Sequence, residues 1–246
     1  MDLDLDFKEL TAEDFRFDVD MDFDFEENRL KNRFKTVKIL KPQTIKYENA
    51  QKMAKEIKLD ETNMIYAIIT GSFIFGDFIE ALVEDKKLEV EEMYISTLGM
   101  NQNNIDSLGN LLIDYHVKKI NLIVSNYFVS NEVKDLMPYL LDELSGLNIN
   151  VAIAGNHSKV VLIKTKCGKH LVINGSANLS SSSNLEQFSM MDNKEIYEFN
   201  KDVFDLINEN FTIWDGITYK YTYTKKINRD CRNKNLARKV MNEDGK

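Results

Sequence analysis

Five polar residues in the second half of the chain have the types and the spacing that phosphoryl-transfer chemistry needs: His157, Lys159, Ser176, Asn178 and Glu186. An imidazole can attack a phosphorus centre and carry the phosphoryl group as a covalent intermediate. In an extended segment, a lysine two residues further on points to the same side, where its ammonium can neutralise charge on the phosphoryl oxygens. His157 and Lys159 therefore predict cleavage of a phosphate ester, with the imidazole as the nucleophile.

The other three residues suit supporting roles in the same reaction. Ser176 and Asn178 are again two residues apart, and they can hydrogen-bond the phosphoryl oxygens or fix Lys159. Glu186 can accept the second imidazole N–H, which sets the tautomer of the ring and stabilises its charged form. None of these roles needs a metal or a cofactor, and we expect neither, since the sequence contains no recognisable ligand cluster for zinc or magnesium.

Short apolar runs surround the five residues and must position them. One run, 150–154, leads into His157; a second, 160–164, follows Lys159; a third, 170–174, leads into Gly175. Apolar runs of this length between turn residues are typical of buried strands. The polar side chains then lie at strand ends and in the corners after them, where they can meet in one cavity.

The order of these residues resembles the signature of the phospholipase D superfamily: His-x-Lys, four residues, Asp, and later Gly-Ser-x-Asn. The match covers His157, Lys159 and the segment Gly175-Ser176-x-Asn178, with Glu186 at the position of the family's supporting acid, and it extends over roughly residues 62–212. The resemblance implies a metal-independent phosphodiesterase. The single motif is similar to that of the small bacterial endonucleases of the superfamily, which pair two copies in a homodimer, so we expect a nuclease that acts as a homodimer.

One residue departs from the family signature. The family Asp would fall at Lys164, and no carboxylate lies between Lys159 and Gly175. In the family this Asp mainly supports the His and Lys that carry the chemistry. The departure therefore leaves an alternative open, in which the domain is catalytically degenerate and binds nucleic acid or a protein.

Strands alternating with helices predict the architecture. Predicted strands are 64–70, 91–97, 120–125 and 150–154, and predicted helices are 48–58, 77–83 with Asp77 as N-cap, 101–115, 131–145 with an interruption at Pro138, and 194–210. Such alternation requires crossover connections. We expect an α/β fold with a mixed, mostly parallel sheet and helices on both faces, and Trp214 as a core or interface anchor.

Charge divides the chain into three parts. Within a net charge of −8, residues 1–27 hold twelve acids against Lys8 and Arg16, whereas the segments 29–41 and 218–239 are basic. We predict an N-terminal arm (1–45), a phospholipase D-like domain (46–215) and a basic C-terminal extension (216–246). The acidic arm is either a solvating tail or a phosphate mimic that folds over the protein's own basic cleft. Both basic segments suit binding to nucleic acid, with DNA preferred to RNA, and tyrosines are interleaved at 219–223. Alternatively, 29–41 is a counterweight to the acidic arm, and 218–239 is an exposed strand followed by a solvated helix.

The remaining features bound the setting. No apolar stretch approaches the ~18 residues of a membrane span, and no apolar signal core follows Met1. We therefore expect a cytoplasmic protein without a membrane partner, and free thiols at Cys167 and Cys231. His116 is interpreted as a surface or capping residue. His170 can share a sheet face with Ser176, and we interpret it as a plain strand residue, with a supporting role in the site as the alternative.

Overall fold

The computed structural model describes residues 41–45, 49–70, 73–115, 117–132, 135–180 and 184–218, without the side chains of residues 41–45 and of Ser130. The acidic arm, nearly all of both basic segments, His116 and Cys231 lie outside the described residues.

Nine strands and six helices make up the described residues. The strands are β1 (Lys41–Ile45), β2 (Asn63–Ile69), β3 (Val90–Thr97), β4 (Ile120–Ser125), β5 (Ile149–Ala154), β6 (Val160–Thr165), β7 (His170–Gly175), β8 (Glu186–Asp192) and β9 (Thr212–Trp214). The helices are α1 (Ala50–Glu56), α2 (Phe75–Asp85), α3 (Gln102–Ile113), α4 (Asn126–Glu132), α5 (Leu136–Glu143) and α6 (Lys194–Phe211). All the strands join one sheet in the order β1-β2-β8-β7-β6-β3-β4-β5-β9.

The α/β class and the mixed sheet are confirmed, but the expectation that the sheet is mostly parallel is wrong. Within the described residues β1–β2, β3–β4 and β4–β5 are parallel, whereas the other five pairings are antiparallel. Helical crossovers produce parallel neighbours, and they end with β5. The chain then reaches β6, β7 and β8 through loops without helices, and neighbouring strands joined in this way pair antiparallel.

Helices cover both faces of the sheet, as predicted. One core layer lies between the sheet and the helices α1, α2, α3 and α5, and Trp214 is buried in it. The second layer is smaller and lies under α6, where Tyr197 and Phe204 pack on Tyr94, Leu162 and Val172. Amphipathic α6 begins at the N-cap Asn193, whose side chain accepts a hydrogen bond from the backbone N–H of Ile196.

Two predicted helix boundaries are wrong. Helix α2 begins at Phe75 after Ile74, so Asp77 lies inside the first turn and is not the N-cap. The segment predicted as one helix, 131–145, instead contains the end of α4 and the whole of α5, and Pro138 does not mark the break between them. Pro138 is the third residue of α5, a first-turn position whose N–H has no acceptor within the helix.

No helix among the described residues is both long and apolar enough to cross a membrane.

Candidate active site

The five predicted site residues line one open cavity of about 740 Å³. His157 and Lys159 lie in the loop between β5 and β6, Ser176 and Asn178 follow β7, and Glu186 begins β8. Strand β7 runs antiparallel to both of its neighbours, with Val160 opposite Asn174 and Gly175 opposite Phe188. The end of β7 therefore lies beside the beginnings of β6 and β8, and this register brings the five residues together.

His157 and Lys159 are in direct contact. The Lys159 Nζ lies 3.2 Å from the imidazole Nδ1 of His157 and donates to the His157 carbonyl oxygen at 3.0 Å. Burial lowers the pKa of Lys159, and the nearby Glu186 carboxylate opposes this shift. The cavity thus holds an imidazole and a partly desolvated ammonium side by side.

Ser176 is fastened to the first residues of β8. Its hydroxyl donates a hydrogen bond to the Glu186 carboxylate. The backbone N–H of Ser176 donates to the Gln187 carbonyl at 2.9 Å, and the N–H of Gln187 donates to the Ser176 hydroxyl at 3.1 Å. The hydrogen bonds of the described residues include none between Glu186 and His157, so the role expected for Glu186 at the imidazole stays a prediction.

Gly175 owes its place in the motif to a close approach of two backbones. A Cβ at this position would lie 2.1 Å from the Gln187 carbonyl oxygen and 2.7 Å from the Phe188 Cα. Both atoms belong to the backbone of β8 and cannot swing aside. Glycine therefore allows β7 and β8 to come close enough for the hydrogen bonds that hold Ser176.

The turn after Ser176 is anchored to the opposite wall of the cavity. The backbone N–H of Leu98, at the end of β3, donates to the Asn178 side-chain oxygen at 3.3 Å. The Leu179 carbonyl accepts from the N–H of Gly76 in the first turn of α2 at 2.9 Å. Since Ala177 and Leu179 are both buried, the turn carries Asn178 into the cavity on a fixed support.

The sequence reasoning missed the residues that hold the His157 loop. Asn156 donates to the Ser96 hydroxyl at 2.8 Å, and its side-chain oxygen accepts from the Ser158 backbone N–H at 2.9 Å. The Ser96 and Ser158 hydroxyls lie 2.7 Å apart. Ser96 is buried, so the network ties the loop to the end of β3. The available signal was Asn156 beside the histidine, since asparagine favours such local turns.

Lys164 stands away from this cavity. It lies on β6, four residues beyond the cavity-lining Val160, a separation of about 13 Å along a strand. Its Nζ forms a partly exposed ion pair with Glu91 at 3.2 Å. The side chain that replaces the family's Asp is therefore bound elsewhere on the sheet.

His170 is also remote from the cavity. It begins β7, opposite Lys164, whereas Ser176 follows the other end of the strand. Its ring packs edge-on against the buried Tyr197 with ring centroids 5.1 Å apart. His170 therefore supports the attachment of α6.

No protein-family model and no curated protein matches the chain, whereas solved structures do. Polyphosphate kinase from Porphyromonas gingivalis is 12% identical over 65% of this chain and 29% of its own, with a TM-score of 0.47. NucT from Helicobacter pylori is 17% identical over 61% of this chain and 98% of its own, with a TM-score of 0.44. Nuc from Salmonella typhimurium, a phospholipase D family member, is 13% identical over 53% of this chain and 84% of its own, with a TM-score of 0.40.

The likeness is one of fold. A phospholipase D family member is among the solved structures that this chain resembles. The chain spans less than a third of the polyphosphate kinase. Activity, substrate and partners are therefore argued below from this chain's own residues.

Proposed function

We propose that this protein is a metal-independent phosphodiesterase that cleaves nucleic acid through a phosphohistidine intermediate. The observation that carries the proposal is the convergence of His157, Lys159, Ser176, Asn178 and Glu186 in one cavity. These residues come from three separate loops and strand ends, and the β6–β7–β8 register brings them together. A nucleophile, a cation and neutral hydrogen-bonding groups around one space form a site suited to phosphoryl transfer.

In the first step the imidazole of His157 attacks phosphorus. A bond forms between the ring nitrogen and phosphorus, the bond to the leaving oxygen breaks, and a general acid protonates that oxygen. In the second step a water molecule attacks the phosphohistidine, which releases the phosphomonoester and restores the imidazole. Water supplies the oxygen, and the protein is unchanged at the end of the cycle.

Lys159 changes partner in this scheme. In the unliganded arrangement its ammonium contacts the Nδ1 atom of His157. A bound phosphate offers a full negative charge, which attracts the ammonium more strongly than a neutral ring nitrogen does. Binding of the phosphate therefore draws Lys159 onto the phosphoryl oxygens and frees Nδ1 of His157. The imidazole can then carry its proton on Nδ1, which leaves Nε2 unprotonated and able to attack phosphorus. The Glu186 carboxylate then accepts a hydrogen bond from the Nδ1–H group of His157, while the Ser176 hydroxyl holds the carboxylate in place.

A homodimer supplies the missing general acid. Each chain has one His-x-Lys sequence that is followed by the Gly-Ser-x-Asn sequence of the motif, and one imidazole cannot be both the nucleophile and the donor to the leaving group. A two-fold axis beside the cavity places the partner's His157 on the far side of the phosphate. Such a contact buries on the order of 1,200–2,000 Å² in total.

Nucleic acid is the proposed substrate because of the basic segments 29–41 and 218–239. Lysine and arginine side chains attract a phosphate backbone, and interleaved aromatic rings can stack on bases. DNA is preferred to RNA in this proposal. The protein acts in the cytoplasm and uses no cofactor.

A second candidate function is a binding module that has lost catalysis. Lys164 at the position of the family's Asp favours it. Lys164 lies away from the cavity and forms an ion pair with Glu91, so the five cavity residues do not depend on Lys164 for their contacts. This arrangement favours the enzymatic function instead. Under the binding alternative, the protein retains nucleic acid but cleaves none.

The deciding experiment compares cleavage by wild type, His157→Ala and Lys159→Ala in excess EDTA, with supercoiled plasmid and single-stranded DNA as substrates. We expect wild type to remain active and each variant to lose at least about 10³-fold in rate, the scale of losing a nucleophile or its electrostatic partner. Lys166→Ala is the matched control, since Lys166 is exposed and pairs with Glu89. Retention of activity in clean His157→Ala protein excludes this mechanism. Activity lost in EDTA and restored by a divalent ion also excludes it.

A further inference from the structure

The cavity extends well beyond the five residues of the motif. Tyr66 on β2, Asn174 at the end of β7, and Gln187 and Ser189 on β8 also line it. Ser189 lies opposite both Tyr66 and Asn174, and Gln187 is two residues away on the same face of β8. These four residues therefore form a continuous patch of the sheet face, which we name the cavity floor.

Three carboxamides around the floor have their acceptor ends occupied by the protein. The Tyr66 hydroxyl donates to the side-chain oxygen of Gln187, and the Ser189 hydroxyl donates to that of Asn174. The Asn178 oxygen accepts from a backbone N–H at 3.3 Å. Among the hydrogen bonds of the described residues, none uses an amide nitrogen of these three side chains. Their N–H groups are the ends left for a ligand.

The floor is accessible because α6 does not extend over it. Among the described residues, that helix packs on β3 to β7 and on β9. Beyond its edge, Ile68 is 47% exposed, Gln187 is exposed, and Tyr66 is half-buried. The ring of Tyr66 thus forms part of an open surface beside the catalytic residues.

We infer that the cavity floor is a recognition subsite for the nucleoside attached to the scissile phosphate, with Gln187 and Tyr66 as specificity-determining residues. This inference rests on the proposed function. Bases and sugars carry many acceptor atoms, which neutral N–H donors can satisfy, and an aromatic ring can stack on a base. Ser176 connects the two sites, because its backbone N–H donates to the Gln187 carbonyl while its hydroxyl donates to Glu186.

The same features disfavour two other classes of phosphate compound. Acyl chains of a lipid would leave the amide donors unsatisfied on binding. A polyphosphate would need several cations, whereas Lys159 is the one lysine or arginine among the described residues that line the cavity. A volume of about 740 Å³ lies in the range of small-molecule sites and accommodates a nucleotide.

The test measures specificity, which damage to the fold alone would not change. We compare kcat/KM for a dinucleotide phosphodiester with kcat/KM for bis(4-nitrophenyl) phosphate, which has no base or sugar. Gln187→Leu should lower the ratio of the two values about 5- to 10-fold, the range for one lost hydrogen bond. Tyr66→Leu should lower it by ~10-fold or more, through loss of stacking. Gln51→Leu, an exposed glutamine on α1, should leave the ratio at the wild-type value.

A binding arm separates this inference from the proposed function. Calorimetry measures the dinucleotide affinity of His157→Ala and of the double variant His157→Ala/Gln187→Leu. The double variant should bind about 5- to 10-fold more weakly. If wild type cleaves neither diester but Gln187 still governs binding, the catalytic proposal fails and the subsite stands. If Gln187→Leu changes neither the ratio nor the affinity, the subsite is overturned whatever the activity.

Discussion

Replacing Gly175 with alanine should separate the turn that carries Ser176 and Asn178 from β8. The added Cβ would lie 2.1 Å from the Gln187 carbonyl oxygen and 2.7 Å from the Phe188 Cα, so one of the two backbones must move. A movement large enough to relieve that contact breaks the reciprocal hydrogen bonds between Ser176 and Gln187. The substitution should therefore lower the free energy of unfolding and displace Ser176 from the cavity at the same time.

The size of the effect follows from these contacts. Overpacking in a well-packed region costs about 1–3 kcal/mol, and each weakened hydrogen bond costs about 0.5–1.5 kcal/mol. We expect Gly175→Ala to lower the free energy of unfolding by about 3 kcal/mol. For a chain of this size, that loss lowers Tm by about 6–12 °C.

Thermal unfolding followed by circular dichroism measures this change, with Gly109→Ala as the matched control. Gly109 lies inside α3, and a Cβ there would meet Leu144 at an ordinary 3.6 Å. The control should gain about 0.5–1 kcal/mol, since alanine favours a helix interior over glycine. If Gly175→Ala unfolds within about 2 °C of wild type, the close approach of β7 and β8 does not constrain this position, and our account of the glycine is wrong.

Three further predictions concern pH, charge and assembly. Burial lowers the pKa of Lys159, so Lys159 should lose its charge, and cleavage should decline, as the pH rises but before it reaches the ordinary lysine pKa of about 10.4. Lys159→Arg should move this decline to a higher pH. Between the lowered pKa of folded Lys159 and its ordinary value, the unfolded chain holds the lysine proton more tightly than the folded chain, so the free energy of unfolding should rise with pH. Urea unfolding of Lys159→Met should not show this rise. Deleting residues 1–27 should tighten DNA binding in a titration at 0.01 M salt, where the Debye length is ~30 Å, and unchanged affinity would identify the arm as a solvating tail. Light scattering should report about twice 28.6 kDa. A mixed dimer of wild type and His157→Ala should be severely impaired, and half the wild-type rate would exclude a shared site.

Much of the site could be predicted because it depends on local patterns. The spacing of His157 and Lys159 places both side chains on one side of a short segment, and the apolar runs locate strands β5, β6 and β7 to within about a residue. Gly175 marks a backbone contact without revealing its partner. These features lie within some thirty residues, so the turn chemistry and the two-residue period of strands determine them.

The floor and the strand order could not be predicted in this way. Tyr66 bonds a residue 121 positions further along the chain, and this contact exists only because β2 pairs with β8. That pairing is antiparallel and non-sequential, and nothing in the composition of either strand specifies its partner. The alternation of strands and helices predicted a mostly parallel sheet because it describes only the segment from β2 to β5. It contains no information about β6, β7 and β8, which lie between β2 and β3 in the sheet.

Charge explains how such a site could act on a polyanion. Among the described residues, carboxylates outnumber lysines, and all six arginines of the chain lie outside them, in residues 1–40 and 219–246. A body of this charge repels a nucleic acid at long range, and the cavity offers Lys159 and neutral donors only at contact distance. The chemistry and the capture of substrate are therefore assigned to different parts of the sequence. The cavity suits one phosphodiester with its nucleoside, while the basic segments 29–41 and 218–239 would supply the attraction that overcomes this repulsion. Salt should accordingly weaken binding of long DNA much more than binding of a dinucleotide, because long DNA offers many more phosphates for lysine and arginine side chains to contact.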